Sequence, residues 1–332
     1  MTFESQDVER KTNSILRVLA GSSDPLGSIV IARKLKDLGV DLGERAIRYH
    51  LKLLDQQGLT RLAGRRDGRV ITSMGHRELK YGLVKDKVGF AISRIELLAF
   101  RTTFDLEKRS GLVPVNVSIF RQQDFTKALR LMKPVFDARL CVSNLVITSG
   151  EGNRIGDLLV PEGRIAIGTV CSIVVNGTLL KAGVPMNSKF GGLLQIEDHS
   201  PVRFIELIHY DGCSLDPSEV FIKARMTSVT QAARNGNGTI LANFREIPAL
   251  CRPLAHDVIS KLAKAGMNGV LHVGNVSEPI CELPIELNRV GIILIGGLNP
   301  IAAVEEAGIA VDTHAMNTLV EYGQLISFKE LF

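Results

Sequence analysis

The chain has 332 residues, 45% hydrophobic and 23% charged, with no Trp, which is too long for one average domain and too apolar for a disordered chain. Its net charge of +5 is local: residues 1–80 hold 15 Lys or Arg against 10 Asp or Glu, and residues 81–332 hold 25 of each. No run approaches the roughly 18 apolar residues of a membrane span, the first residues lack a signal-peptide pattern, and the five scattered cysteines form no C-x-x-C pair. A cytoplasmic protein with reduced thiols and no membrane partner is expected.

Val8, Thr12, Ile15, Leu16 and Leu19 recur at helical spacing up to Gly21, predicting a first helix. After the turn Asp24-Pro25-Leu26-Gly27, Ser28 is placed to cap a second helix with Ile31, Leu35 and Leu38 on one face, ending at Gly39. A third helix is expected from Glu44 to Gln57, with Gly43 at its N-cap and Gly58 closing it. Ile47, Leu51 and Leu54 turn one side of it to a core, and Arg45, Arg48, Tyr49 and Lys52 line the other. A helix inserted in a major groove needs this division into an anchored side and a side of long donors. Two β-prone runs then flank Gly64-Arg65-Arg66-Asp67-Gly68, a hairpin signal that gathers Arg65, Arg66 and Arg69 near the tip of a basic wing. Residues 1–80 therefore read as a winged helix-turn-helix domain for double-stranded DNA.

Residues 81–100 read as a helical connector, and 101–332 as a strand-rich α/β domain, so the fold class is α+β rather than a doubly wound sheet. A strand near 112–119, a helix near 122–136 and a strand near 140–148 open it. Val184-Pro185-Met186 with Gly192 to Ile196, and Leu283-Pro284-Ile285 with Gly291 to Ile295, keep the same Pro-to-Gly spacing, and suggest a weak internal duplication.

The spacing in Gly150-Glu151-Gly152-Asn153-Arg154-Ile155-Gly156 is one residue too long for a dinucleotide fingerprint, and reads as a surface loop. The seven histidines lack metal-ligand spacing, and no nucleophile elbow or phosphate loop is present. No metal, cofactor or catalytic residue is expected, and the protein reads as a non-enzyme. Small polar turns stand out instead: Cys171 and Ser172; Lys189, Gly191 and Gly192; Arg245; Gly296, Gly297 and Asn299. Exposed amides with one Arg or Lys hold a small carboxylate without metal.

The stretches KVGFAISRIELLAF, TFDLE, GTVCSIVVNG, KFGGLLQI, SLDPSEVFI, MTSV, FREIP and GGLNPIAAVEEAGI resemble the NrpR family, nitrogen-responsive repressors of methanogenic archaea. The resemblance implies a winged helix that binds operators of nitrogen-assimilation genes, and a regulatory domain that binds 2-oxoglutarate as effector and thereby weakens DNA binding. The chemistry of the turns then suggests Arg245 for a bidentate carboxylate contact, and the Gly191-Gly192 and Gly296-Gly297 amides with Ser172 for the remaining oxygens. Some members carry two regulatory domains in tandem, whereas this length accommodates one. A homodimer or higher oligomer is therefore expected, or pairing with a separate NrpR-domain protein. A nucleic-acid-binding enzyme and an RNA-binding regulator are the alternative readings.

Overall fold

The computed structural model describes residues 3–22, 24–37, 40–64, 68–81 and 89–332. The chain divides into two compact units, Met1–Lys87 and Val88–Phe332.

The first unit contains α1 (Phe3–Ala20), α2 (Ser28–Asp37), α3 (Glu44–Gln56), β1 (Thr60–Leu62), β2 (Arg69–Ile71) and α4 (Ser73–Tyr81). The apolar spacing read from the sequence is the core: Ile15, Leu16, Leu19, Ile31, Leu35, Ile47, Leu51 and Leu54 are buried together, each contributing about 1.5–3 kcal/mol. Helix α2 departs in one detail. Its first bond runs from the Ile31 N–H to the Gly27 carbonyl at 3.0 Å, so Gly27 holds the cap position expected of Ser28. The Ser28 hydroxyl instead donates to Glu44 Oε1 at 3.0 Å, tying α2 to α3. Helix α3 starts after Gly43 as predicted and ends one residue early at Gln56, with Gly58 at φ +71 supplying the left-handed turn into the wing. Strands β1 and β2 pair antiparallel, Thr60 opposite Ile71. Leu26 adds a third, single-residue rung against Arg69. Leu38, Gly39, Arg65, Arg66 and Asp67 lie outside the described residues.

The second unit begins with α5 (Phe90–Arg101). Thus the later half of the expected connector packs within the regulatory unit, on α7 and β13 as defined below. There follow β3 (Leu112–Arg121), α6 (Gln122–Asp137), β4 (Leu145–Gly150), the small hairpin β5 (Arg154–Ile155) and β6 (Leu158–Leu159), β7 (Arg164–Val170), α7 (Ile173–Lys181) and β8 (Asn187–Glu197). Next come β9 (Ser200–His209), α8 (Pro217–Lys223) and α9 (Val229–Asn235), then β10 (Gly238–Pro248), α10 (Arg252–Lys264), β11 (Val270–Val276), β12 (Arg289–Ile295), α11 (Asn299–Glu306), β13 (Asp312–Glu321) and β14 (Ile326–Ser327). The strand expected at 140–148 starts only at Leu145, because Ser143 donates to the Gly266 carbonyl at 2.7 Å and accepts the Leu145 N–H, which makes a turn of 141–144. The Gly150–Gly156 segment ends β4 and enters the small hairpin, in keeping with a loop.

Two five-stranded sheets result, ordered β13-β3-β7-β4-β14 and β11-β12-β10-β8-β9. Strands β3 and β10 are interior to their sheets and almost wholly buried, which explains their near-continuous apolar sequences. The sheets are related by a duplication different from the one expected. Strand–helix–strand–strand–helix–strand occurs twice, as β3-α6-β4-β7-α7-β8 and as β10-α10-β11-β12-α11-β13. Arg164, Ile167 and Ala182-Gly183-Val184 match Arg289, Ile292 and Ala307-Gly308-Ile309, each 125 positions on. The Pro-to-Gly similarity instead compares β8 with β12, two strands of the same sheet with different roles. In each repeat the last strand joins the other repeat's sheet: β8 pairs with β10, and β13 with β3. The helices reciprocate, α6 packing on α11 and α7 on α10. The two repeats are therefore interlocked, each contributing to both of the larger hydrophobic clusters.

Candidate functional site

In the first unit Arg45, Arg48, Tyr49 and Lys52 are exposed on the face of α3 opposite its buried residues. Arg48 is partly engaged, by an ion pair with Glu44 and by a 3.4 Å bond from Nε to the Ser28 hydroxyl. Arg45 and Lys52 form no ion pair among the described residues, and Tyr49 is 59% exposed. Arg69 differs from the wing arginine that was expected. It lies in β2 with Nε 2.7 Å from Asp55 Oδ2, and Asp55 Oδ1 also accepts the Thr60 hydroxyl at 2.6 Å. One carboxylate at the end of α3 thus fixes both strands of the wing against the helix that precedes it.

In the second unit a polar pocket lies where the two repeats meet. Asn116 stands opposite Thr169 on β7, and Asn243 opposite Leu294 on β12; Thr169 and Leu294 are themselves 125 positions apart, so the two asparagines are equivalent. The same spacing relates Ser172 at the start of α7 to Gly297 just before α11. All four residues line one small, partly open cavity of about 20 Å³, room for a single water molecule. Two helix N-termini thus converge on it, each favouring negative charge. A side chain at Gly297 would meet the Val170 carbonyl at 2.5 Å and Asn116 Nδ2 at 2.7 Å, so only glycine allows this approach.

Arg245 is the dominant charge. It is 1% exposed, follows an irregularity in the β10–β8 register, and lies over the Tyr210 ring, 4.8 Å from its centroid. One terminal nitrogen donates to the Phe244 carbonyl at 3.1 Å and the Phe190 carbonyl at 3.5 Å. Its Nε has no hydrogen-bond partner among the described residues, an expensive state for a buried charge. The Tyr210 hydroxyl donates to Asn243 Oδ1 at 2.6 Å, and Asn243 Nδ2 to the Ser172 hydroxyl at 3.2 Å, a chain that ends at the α7 N-terminus. Burial pushes the Cys171 thiol and the Tyr210 phenol each up to about 12, so both are neutral. Burial also raises Asp216, although its carboxylate accepts the Ser218 and Glu219 amides. Arg245 and the helix N-termini give the lining a positive side, which the Asp216 carboxyl group on the same lining opposes.

Of the residues expected from sequence to hold a carboxylate, Cys171, Ser172, Arg245 and Gly297 line this pocket. Gly191 borders it, opposite Asn243, where an added Cβ would meet the Tyr210 hydroxyl at 3.0 Å. The other four have different places. Lys189 Nζ is 3.0 Å from Glu286 and 3.1 Å from Glu246. Gly192 packs against Phe204 and Glu206, and Gly296 against Leu241. The Asn299 amide bonds both backbone groups of Leu241, locking α11 to β10. Ile95, Asn116, Tyr210, Asp216, Asn243 and Met316 were missed. The signal for the two asparagines was present, since each is a polar residue inside an apolar strand.

A winged helix joined to a duplicated, strand-exchanged domain defines a transcriptional regulator with a regulatory domain. Residues 88–327 match the model of NrpR regulatory domains NRD1 and 2, and residues 13–79 that of the ribonuclease R winged-helix domain. Global nitrogen regulator NrpRI of Methanosarcina mazei is 40% identical over 95% of this chain and 97% of its own length. Global nitrogen regulator NrpR of Methanocaldococcus jannaschii is 33% identical over 98% of this chain but 56% of its own length. The crystal structure of a nitrogen repressor-like protein from Methanococcus jannaschii is similar with a TM-score of 0.61 and 28% identity, covering 72% of this chain and 98% of that one. The chain belongs to the NrpR family, the nitrogen-responsive transcriptional regulators. No helix among the described residues is long and apolar enough to cross a membrane.

Proposed function

We propose that this chain is a DNA-binding repressor of nitrogen-assimilation genes, acting in the cytoplasm, and that it leaves its operator when the pocket between its repeats takes up 2-oxoglutarate. The observation that carries the effector reading is the buried, incompletely bonded guanidinium of Arg245 beside two converging helix N-termini. A small dicarboxylate offers one carboxylate to a planar guanidinium and the other to backbone amides and asparagine side chains. Arg45, Tyr49 and Lys52 on α3, with Arg48 in part, supply donors to phosphates and base edges. Arg69 acts mainly by fixing the wing, and Arg65 and Arg66 are the proposed contacts to the DNA backbone. One recognition helix per chain calls for a homodimer or higher oligomer on a two-fold operator, or for a second NrpR-domain protein.

Calorimetry with 2-oxoglutarate on wild type and Arg245→Met tests the pocket: binding by the first and not the second is expected, and equal binding contradicts it. A second reading, RNA as the polyanion, is favoured by the match to a ribonuclease winged helix. Competition of duplex DNA against RNA in one mobility shift separates the two.

A further inference from the structure

The pocket holds about one water, and a dicarboxylate the size of 2-oxoglutarate needs several times that room. One wall must therefore move. Asn116 and Asn243 sit in interior strands, Asn116 paired with Thr169 and Asn243 with both Leu294 and Gly191, and cannot move without breaking those pairings. The remaining walls include Ile95 of α5 and Met316 of the edge strand β13. Pairing of β13 with β3 is interrupted between His314 and Thr318, and Met316 inside this bulge has φ +49, unfavourable for a side chain larger than glycine. The bulge is held by side chains rather than by the sheet. Asn116 Oδ1 accepts the Met316 N–H at 2.9 Å, and Glu219 Oε1 accepts the Ala315 N–H at 2.6 Å. From the other side Arg94 of α5 donates Nε to the Met316 carbonyl at 2.6 Å and Nη2 to the Asn317 carbonyl at 2.5 Å.

We infer that Arg94 is the positioning residue that couples the pocket to α5, its fork latching the movable β13 bulge to the helix that leads in sequence from the winged-helix unit. Opening the pocket moves Met316 and Ile95, breaks the Arg94 fork and displaces α5. Because the closed pocket excludes the ligand, its binding free energy is almost entirely differential between the closed and open states, which is the condition for strong coupling. Glu219 and Asn116 hold the bulge to the domain; Arg94 alone joins it to α5 among the bonds named above. The ligand arm of the test rests on the effector reading of this pocket, whereas the arm that follows pocket opening does not.

The test uses the full chain as wild type, Arg94→Met and the milder Arg94→Lys, which keeps the charge and loses the fork. Alkylation by iodoacetamide is followed residue by residue with peptide mass spectrometry. Cys171 lines the pocket, while Cys141 is buried in a different cluster and serves as the internal control. Cys171 alkylation is expected to accelerate at least about fivefold in Arg94→Met and less in Arg94→Lys, with Cys141 unchanged. In the same variants 2-oxoglutarate should bind several-fold tighter, and its effect on DNA affinity should shrink. Equal Cys171 rates in all three chains overturn the inference, as does equal acceleration at Cys171 and Cys141. If wild type binds no 2-oxoglutarate, the effector reading fails, and the Cys171 rates still decide the role of Arg94.

Discussion

Replacing Arg245 by Met separates a residue kept for binding from one kept for stability. In the folded chain its favourable contacts are one charged donor shared between two carbonyls, at 3.1 and 3.5 Å, and the Tyr210 ring at 4.8 Å. These are worth about 1.5–3 kcal/mol for the hydrogen bond and about 2 kcal/mol for the desolvated cation–π contact. Against them stands the desolvation of a guanidinium whose Nε is unpartnered, several kcal/mol. The terms nearly cancel, so Arg245→Met is expected to leave ligand-free stability within about 2 kcal/mol of wild type, on the more stable side. For a unit of this size that is a melting temperature up to about 4–8 °C higher. Effector binding should fall about 30-fold or more, since truncating one partner of a buried charge pair costs about 2–5 kcal/mol. Thermal unfolding with and without 2-oxoglutarate reads both effects. At a concentration of 100 times the wild-type Kd, wild type gains about 2.7 kcal/mol and a variant weakened 30-fold or more gains at most about 0.9 kcal/mol. Loss of more than about 4 kcal/mol without ligand, or an undiminished ligand-induced rise, would refute this reasoning.

Asp55→Ala removes the carboxylate shared by Thr60 and Arg69; these groups are partly exposed, so the expected cost is about 1–2 kcal/mol in unfolding of the first unit, together with weaker DNA binding, measured by denaturant titration and mobility shift. Asp216 places a carboxyl group in the proposed anion pocket, and burial raises its pKa. Protonation therefore removes a repulsion, so 2-oxoglutarate affinity should rise as pH falls through that raised value, for as long as the ligand stays ionised. Calorimetry at a series of pH values should show this dependence in wild type and lose it in Asp216→Asn, which retains the capping acceptor and binds tighter at neutral pH. Gly297→Ala forces a Cβ against the Val170 carbonyl, and should cost about 1–3 kcal/mol in thermal unfolding while weakening the effector.

The first unit was legible in the sequence because its signals are local. Helix-spaced Ile47, Leu51 and Leu54, and the glycines closing α3 and turning the wing, each act within a few residues. The Ser28 cap failed because a side chain on α3 sixteen positions away competes for its hydroxyl. In the second unit the strand-rich character was visible, whereas the exchange of β8 and β13 was not, since pairing partners are set by the closed core and not by any short segment. The duplication was sought between similar Pro-Gly runs, and the true repeat preserves element order with only a few identical side chains. For the pocket, charge and glycine content singled out Arg245, Ser172 and Gly297, which the fold brings together around one cavity. Lys189 satisfies the same chemical criterion, but its neighbours Glu246 and Glu286 engage it.

The central claim is tested most directly by a mobility shift at fixed salt, with DNA from upstream of nitrogen-assimilation genes, in the absence and presence of 2-oxoglutarate. The account predicts specific binding without the effector and a weakening of about 5- to 150-fold with it, the usual range of coupling between two sites. Binding that is unchanged by saturating 2-oxoglutarate would contradict it.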